Sequence, residues 1–297
     1  MNEARDLAYF KNLWETRQDS PVGHSPDIWD ERAKEWIGAL DPDENGGGAE
    51  DETRASSMLA RVGVTAEYLR SRGLLGENDS VVDVGCGPGL FVAEFAKTAK
   101  RAVGIDYSSR FIEYGVRNAA ALGVKNTSFE CRDFFALDVD EAGLSGAFDL
   151  VFTSITPAAS GKGCLEKLIK MSRAWCYNAS FVHASDSLAE RVSREVFGRD
   201  FRPRWDGGGF YALFNLLWHL GYSPETYYFD DVRDERIIPS ERTAARCAAA
   251  CGEYGENAGE EVLRYFKTLG AEIERRSAFR YGSILWDVRA KVTRIAK

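Results

Sequence analysis

Val81-Val82-Asp83-Val84-Gly85-Cys86-Gly87-Pro88-Gly89 is the stretch of this 297-residue chain that decides the fold. An apolar, valine-rich run ends in alternating glycines, and a helical pattern follows. This predicts a buried strand, a tight turn and the start of a helix. Glycine tolerates a positive φ and lets another molecule approach the backbone closely. The free N–H groups at such a helix start favour an anion. The stretch is therefore a candidate for a turn that binds a ligand. The alternative is a glycine turn without a ligand, and the segments that follow decide between the two.

The spacing of these glycines distinguishes between two kinds of nucleotide site. A dinucleotide fingerprint has glycines at its first, third and sixth positions, and the sixth position counted from Gly85 is Leu90. The run G-x-G-x-G, with Asp83 two residues before it, resembles instead the first motif of class I S-adenosylmethionine (SAM) dependent methyltransferases. In that family the turn passes under the methionyl part of SAM, and the acid helps to place its amino group. The turn residues that the resemblance implies as cofactor contacts are Gly85, Cys86, Gly87 and Gly89.

A second apolar run, residues 102–106, ends in the acid Asp106. Its interval from Asp83 is long enough for a strand, a turn and a crossover helix. An acid that closes the second strand of a βαβ unit is well placed to accept both ribose hydroxyls of a nucleotide. The resemblance makes this the second motif, and it implies that Asp106 binds the ribose and that Tyr107 flanks the adenine. The alternative is that Asp106 only caps the following helix.

Two further strands extend the resemblance. The strand predicted at residues 127–131 is followed by Asp133 and Phe134. At this position family members place a carboxylate that accepts from the adenine amino group and an apolar side chain that packs on the ring. A surface acid is the alternative for Asp133. Residues 148–154 resemble the fourth motif, whose carboxyl end faces the transferring methyl group, and this implies a contact from Thr153. Ligands of open α/β sheets bind at the carboxyl ends of the strands, which supports that placement.

The first 75 residues predict helices with one break. Residues 27–40 and 55–71 have helical patterns, and the acidic, glycine-rich residues 41–53 between them predict a mobile loop. The pattern Trp29-Asp30-x-x-Ala33-x-x-Trp36 is similar to the F/Y-D-x-x-A-x-x-Y segment of many small-molecule methyltransferases, which often lies over the cofactor. The resemblance implies that Trp29 and Trp36 are lid residues. Core packing of an aromatic stripe is the alternative.

Three residues are candidates for catalysis: His183, Tyr211 and Thr156. His183 ends a predicted fifth strand, and its pKa lies near physiological pH, although a packed or solvated histidine is the alternative. The Asn/Asp-Pro-Pro-Tyr/Phe element of methyltransferases that act on adenine or glutamine amino groups is replaced by Thr153-Ser154-Ile155-Thr156-Pro157. This disfavours a nucleobase amino group or a glutamine as the acceptor.

Charge and composition restrict the partners. The formal net charge is −8 and the pI about 5.2, so no basic face for nucleic acid is indicated. We see neither a signal peptide nor an apolar run long enough to span a bilayer, which predicts a cytoplasmic protein without a membrane partner. The six cysteines lack metal-ligand spacing, so no metal site is predicted.

The resemblance implies an α/β fold with a Rossmann-like, seven-stranded, mostly parallel sheet and helices on both faces. Residues 232–277 look helical and separate the last two strands, which form a close hairpin in minimal members of the family. An insertion of this size could cover the substrate or mediate dimerisation, and the sequence does not decide between the two, so a homodimer is one of the alternatives. The predicted parts are an N-terminal helical extension or lid at 1–75, a SAM-binding core at 76–231, the helical insertion at 232–277, and the last strand with a tail at 278–297.

The function that follows from the resemblance is transfer of a methyl group from SAM to a small-molecule acceptor, with S-adenosylhomocysteine (SAH) as product. The transfer is an in-line displacement at an activated carbon, so the protein contributes mainly orientation. Two alternatives come from other classes. One is a SAM-binding regulatory or partner protein without catalysis. The other is an NAD(P)-dependent oxidoreductase, which Leu90 disfavours.

Overall fold

The structure is a computed structural model of the chain. It describes residues 3–16, 25–41, 49–203, 206–255 and 257–292. Its seven-stranded sheet has the order β3-β2-β1-β4-β5-β7-β6. The strands are β1 (Ser80–Val84), β2 (Arg101–Asp106), β3 (Thr127–Cys131), β4 (Phe148–Ser154), β5 (Ser172–Asp186), β6 (Glu225–Ile237) and β7 (Ile273–Asp287). The ladders that join β3, β2, β1, β4 and β5 are all parallel. The α/β fold with a mostly parallel sheet is confirmed.

Helices connect and flank these strands. Those before the sheet are α1 (Glu3–Glu15), α2 (Pro26–Leu40) and α3 (Ala49–Ser71). Those between the parallel strands are α4 (Leu90–Phe95), α5 (Ser109–Ala121) and α6 (Cys164–Met171). The later ones are α7 (Ser187–Glu195), α8 (Gly208–His219), α9 (Glu241–Ala250) and α10 (Ala258–Leu269). No helix within the described ranges is both long and apolar enough to cross a membrane.

The centre of the sheet is built from apolar runs covered on both faces. Every residue of β1 is buried, as expected for a central parallel strand between two layers of helices. Val82 and Val84 belong to one core cluster, whereas Val81 belongs to another. Because successive side chains of a strand alternate between faces, this division puts one cluster on each side of the sheet. The carboxyl ends of β1, β2 and β4 therefore emerge from a rigid support.

Several predicted boundaries differ from the structure. Residues 42–48 of the predicted mobile loop lie outside the described residues, and residues 49–53 begin α3 instead of extending the loop. The helix predicted after the glycine turn is short and ends at Phe95, after which short turns lead into β2.

The prediction that residues 232–277 are helical is wrong at both ends, because β6 continues to Ile237 and β7 begins at Ile273. The last residues of β6 are mostly charged, so the sequence pattern does not indicate a strand there. Half-buried and exposed residues alternate along the strand, and half-buried Arg233 is paired with Asp231. Paired charges of this kind resemble the polar face of a solvated helix when they are read as composition alone.

The chain divides into two compact units. The first comprises the residues up to Ser180, Gly209–Tyr227 and those from Ser283 onward, and the second comprises Phe181–Gly208 and Tyr228–Gly282. Strands β5, β6 and β7 each contribute residues to both. The second unit has its own core, to which α7, α9, α10 and Ile273 contribute. The structure thus groups residues 181–208 with the insertion, whereas the predicted limits place them in the 76–231 core.

Candidate functional site

The first unit contains an open pocket at the carboxyl ends of β1, β2 and β4. This is the edge where open α/β sheets bind their ligands. Of the predicted site residues, those that line the pocket are Trp29, Trp36, Asp83, Gly85, Cys86, Gly87, Asp106, Tyr107, Asp133, Phe134 and Thr156. Residues separated by more than a hundred positions in the sequence therefore meet at one site.

The glycine turn has a backbone that other residues adopt only under strain. Gly85, Gly87 and Gly89 all have positive φ values, of 75°, 52° and 71°. A Cβ atom at Gly85 would lie 2.0 Å from Thr156 Oγ1, so a side chain there would collide with the segment after β4. A Cβ atom at Gly87 would meet nothing within 4 Å, which leaves open space for a ligand against the backbone.

Gly89 serves packing and does not line the pocket, contrary to the implied cofactor contact. A Cβ atom there would lie 2.6 Å from the Phe129 ring and 3.2 Å from Gly115 Cα. Because Gly89 has no Cβ atom, the start of α4 can lie close to β3 and α5. The neighbouring Leu90, whose identity disfavoured a dinucleotide site, does line the pocket.

Asp106, at the end of β2, is held by backbone amides. The Gly87 N–H donates to its Oδ2 at 2.8 Å, and the Ser108 N–H donates to its Oδ1 at 3.0 Å. Burial raises the pKa of Asp106, and the amide groups of Ser108, Gly87 and Tyr107 oppose this rise. Two carboxylate oxygens offer about four acceptor positions, so capacity remains for a ligand. The carboxylate is thus fixed in place and still able to accept hydrogen bonds from hydroxyl groups.

Asp83, in β1, has a different environment. Its side chain is 2% exposed and makes no hydrogen bond to any residue in the described ranges. Burial, followed by the negative charge of Asp106, raises the pKa of Asp83 well above its ordinary value, and the charge of Arg61 opposes this. A buried carboxylate without a partner is costly unless a cation or a hydrogen-bond donor is supplied. The site therefore favours a ligand that brings a positive group to Asp83.

One end of the pocket is suited to a flat ring with polar edges. Tyr107 Oη is buried without a partner among the described residues. Burial and the charges of Asp106 and Asp133 raise the pKa of this phenol to about 12, so it stays protonated. Asp133 is exposed, and its Oδ1 accepts from the Phe135 N–H at 2.8 Å, which orients the carboxylate. Lys167 Nζ donates to the backbone oxygens of Phe134 and Phe135 and fixes that segment.

Helix α2 supplies Trp29 and Trp36 to the pocket. Its other residues pack on α5, where Ala33 and Ile37 form a small buried cluster with Phe111 and Tyr114. Trp29 Nε1 is buried, and no partner for it lies in the described part of the chain. The helix thus combines the two interpretations of the aromatic stripe, because its alanine and isoleucine form core and its tryptophans face the pocket.

The segment after β4 differs from its prediction by one residue. Thr153 is fully buried, donates to the Tyr177 carbonyl at 3.1 Å and accepts from Asn178 Nδ2 at 2.9 Å, so it joins β4 to β5 and does not line the pocket. Ser154, Ile155 and Thr156 line it instead. Ile155 has a φ of 52°, a conformation that is strained for a β-branched residue and typical of functional sites.

The other two catalytic candidates do not line the pocket. His183 is exposed on the part of β5 that belongs to the second unit. Tyr211 is 55% exposed on α8, and its ring packs edge-on against Phe10 at 5.6 Å. Thr156 is the candidate that the structure brings into the pocket, where its Oγ1 accepts from the Ala158 N–H at 3.2 Å.

Sequence reasoning missed the contribution of α3. Met58, Arg61 and Val62 line the pocket, and the Arg61 guanidinium lies 5.8 Å from the centre of the Phe91 ring. Their spacing of three and four residues places them on one face of the helix, and this spacing is the signal that could have grouped them. It could not reveal which face meets a ligand. Arg132, beside the predicted Asp133, also lines the pocket.

Comparisons with known proteins agree with this geometry. Residues 75–191 match the family described as a methyltransferase domain. A 72-residue part is 39% identical to the 23S rRNA (uracil(1939)-C(5))-methyltransferase RlmD of Burkholderia pseudomallei, covering 24% of this chain and 16% of that protein. A 126-residue part is 31% identical to phosphoethanolamine N-methyltransferase 1 of Caenorhabditis elegans, covering 42% of this chain and 25% of that protein. The chain thus spans a quarter or less of the length of these two relatives.

Among solved structures, the fold is similar to that of magnesium protoporphyrin IX methyltransferase from Synechocystis with bound SAH. The TM-score is 0.51 at 13% identity, and the match covers 87% of this chain and 96% of that one. At this identity the likeness concerns the fold. It confirms the Rossmann-like fold.

Proposed function

We infer that this chain, whose residues 75–191 match the model of a methyltransferase domain, transfers a methyl group from SAM to a small-molecule acceptor. The observation that carries the proposal is a pair of acids near the carboxyl ends of adjacent strands, of which Asp83 is buried and Asp106 half-buried. Asp106 is held by the Gly87 and Ser108 amides, whereas Asp83 has no hydrogen-bond partner among the described residues. One acid suits vicinal hydroxyls, and the other suits an ammonium group. SAM carries both groups on one molecule.

The remaining lining residues fit the other parts of SAM. The open space over Gly87 accommodates the chain that joins the sulfonium to the amino acid end. Tyr107, Asp133 and Phe134 surround a place for the adenine, with a buried phenol and a carboxylate at its edge. Trp29 and Trp36 supply apolar cover over the same pocket. We assign these residues to cofactor binding as part of the proposal.

SAM supplies an activated methyl group on its sulfonium when bound. The protein then has to orient the acceptor in line with that bond and to keep water away, and orientation alone contributes ~7–11 kcal/mol to such reactions. Ser154, the last residue of β4, lines the pocket together with Ile155 and Thr156 after it, so we assign these three residues to the acceptor. Ile155 holds its strained backbone against the body of the sheet, because its N–H donates to the Ala179 carbonyl at 2.9 Å.

A small-molecule acceptor is favoured by charge and by the pocket. The chain has a net charge of −8, and a polyanionic nucleic acid would require a basic surface. One relative is named for phosphoethanolamine and another for 23S rRNA. Those names describe those proteins, and the charge of this chain favours the small molecule of the two acceptor classes.

Calorimetric titration with SAM, SAH and NAD tests the cofactor. We expect SAM and SAH to bind and NAD to give no heat. Gly85→Arg should abolish binding, because even a Cβ atom there would overlap Thr156. Gly255→Arg is the matched control, since that glycine is exposed with open space around it. Binding of NAD in preference to SAM would favour the oxidoreductase.

Turnover tests catalysis separately from binding. The protein, incubated with SAM and a fractionated small-molecule extract, should convert SAM to SAH, whereas the Gly85→Arg variant should not. The methylated product would identify the acceptor by its mass increase. Tight SAM binding without turnover in any fraction would favour a regulatory SAM-binding protein instead.

A further inference from the structure

The acid Asp30 on α2 occupies a place that the cofactor contacts leave unexplained. Ser108 Oγ donates to Asp30 Oδ1, and Ser109 Oγ donates to its Oδ2 at 3.3 Å. The Arg110 N–H also points to Asp30 Oδ1, at 3.4 Å. Asp30 therefore caps the start of α5 from another helix. A negative group is stabilised at that position by the helix dipole and by the free N–H groups.

These bonds continue into the cofactor pocket. Ser108 is fully buried, and its N–H donates to Asp106 Oδ1 while its hydroxyl donates to Asp30. Asp106 Oδ2 accepts in turn from the Gly87 N–H at 2.8 Å. One chain of hydrogen bonds thus joins the glycine turn, the acid assigned to the ribose, and α2. Helix α2 carries Trp29 and Trp36, which line the same pocket.

We propose that Asp30 is a positioning residue that couples the docking of α2 to occupancy of the ribose end of the pocket. The inference rests on the proposed cofactor and adds a coupling between it and α2. A ligand held by Asp106 fixes the Ser108 segment, the fixed segment holds Asp30, and Asp30 holds α2 with its tryptophans over the pocket. By linkage, a docked α2 strengthens ligand binding by the same factor.

The test compares Asp30→Ala with Asp30→Asn and with the control Asp27→Ala. Asp27 is an exposed acid in the first turn of the same helix. We expect Asp30→Ala to weaken SAH about five- to 20-fold, the lower part of the usual range for coupling between sites. Asparagine keeps an oxygen for Ser108, so Asp30→Asn should stay within about threefold of wild type, equivalent to less than one hydrogen bond. Asp27→Ala should have no effect.

Two further readouts separate coupling from simple support of the fold. The Asp30→Ala loss should be equal for SAH and 5′-methylthioadenosine, because both carry the same ribose. Amide hydrogen exchange of residues 26–40 should slow when SAH binds the wild type, and Asp30→Ala should lose this ligand-dependent change. If Asp30→Ala does not fold, Ser108→Ala removes the same bond from the other side and should lose the change too.

The outcomes are distinct. A lower melting temperature of Asp30→Ala, with wild-type SAH affinity and wild-type exchange response, would make Asp30 a structural tether and overturn the proposal. So would wild-type protein that binds SAH with no change of exchange in residues 26–40. If wild-type protein binds neither SAM nor SAH, the proposed function itself fails, and the inference fails with it.

Discussion

Asp106 and Asp83 are the same residue type at the ends of neighbouring strands of one sheet, yet the protein treats them differently. Asp106 accepts from two backbone amides. Asp83 is 2% exposed and has no hydrogen bond within the described ranges. Burial raises the pKa of both acids. The negative charge of Asp106 adds to the rise in the pKa of Asp83, whereas backbone amides oppose the rise in the pKa of Asp106.

This difference indicates which chemical group each acid can bind. Backbone amides orient Asp106 before a ligand arrives and oppose the rise that burial causes in its pKa, which is the arrangement that suits hydroxyl groups. Asp83 lacks such donors, so its charge is stabilised only when a cation enters. A perturbed acid in a pocket is a functional candidate because the fold alone gains nothing from it. In the proposed assignment, the part of the pocket at Asp106, which holds the ribose, is formed before the ligand binds. The part at Asp83, which holds the ammonium of the methionyl group, gains its positive partner from the ligand.

The largest effect is expected from removing the preformed acid. Asp106→Ala leaves the Gly87 and Ser108 amides without their acceptor and removes the partner of the ribose. Hydrogen bonds to a charged group contribute ~1.5–3 kcal/mol, so SAH and 5′-methylthioadenosine should both bind about ten- to 150-fold more weakly. Calorimetry on folded protein measures this, with Asp27→Ala as the control. Unchanged affinity for both ligands would remove Asp106 from the site.

A loss confined to one ligand is expected for Asp83→Asn. SAH should bind about tenfold more weakly or worse, because its ammonium loses a charged partner. 5′-Methylthioadenosine lacks the ammonium and should bind as it does to wild type. An equal loss for both ligands would contradict the assignment of Asp83 to the methionyl end.

The same substitution should stabilise the ligand-free protein. The folded-state pKa of Asp83 is raised, so the folded state binds more protons than the unfolded state as pH passes upward through the ordinary carboxyl range. Wild-type stability therefore falls with rising pH in that window, and asparagine removes this loss. Thermal unfolding without ligand should give Asp83→Asn a higher melting temperature than wild type at pH 7, with the difference shrinking toward pH 4. Such an exchange of function for stability is common at binding sites.

Asp106 was found in the sequence because it ends an apolar run at a spacing that a βαβ unit requires, and Asp83 because it stands two residues before the first glycine of the turn. The position of a residue relative to a strand end or a turn can be read from the nearby sequence, and it is the same in the folded protein. Their different environments were not readable, because the amides of Gly87 and Ser108 that hold Asp106 depend on the exact path of two turns. Arg61 was missed for a related reason, since a helical stripe does not state what it faces.

Thr153 and β6 show two further limits. Thr153 and Ser154 are adjacent at the end of β4, and only the pairing of Thr153 with Tyr177 and Asn178 of β5 decides which one lines the pocket. Strand β6 continues through paired charges because β7 supplies their partners, as in Arg280 with Asp230 and Arg276 with Asp234. Strand partners far along the chain decide both cases.

A moderate effect is expected from pH, which should change the affinity for SAH more than the affinity for 5′-methylthioadenosine. SAH requires ionised Asp83, whose pKa is raised well above its ordinary value by burial and by Asp106. As pH falls through that raised pKa, affinity for SAH should fall by at most about tenfold per pH unit, the limit for one proton. 5′-Methylthioadenosine should show a weaker dependence, and Asp83→Asn should flatten the profile for SAH. Parallel profiles for the two ligands would assign the titration to a group other than Asp83.

The smallest effect is expected at Arg61, whose charge opposes the rise in the pKa of Asp83. Arg61→Gln removes that opposition, so Asp83 should keep its proton to a higher pH and the SAH profile should shift upward. A single charge pair near a surface contributes ~0.5–1 kcal/mol, which predicts a two- to fivefold loss for SAH at neutral pH. Arg5→Gln, at an exposed position on α1, is the matched control. A profile that keeps its midpoint in Arg61→Gln would mean that Asp83 titrates independently of the cation, and the methionyl end would then depend on Asp83 alone.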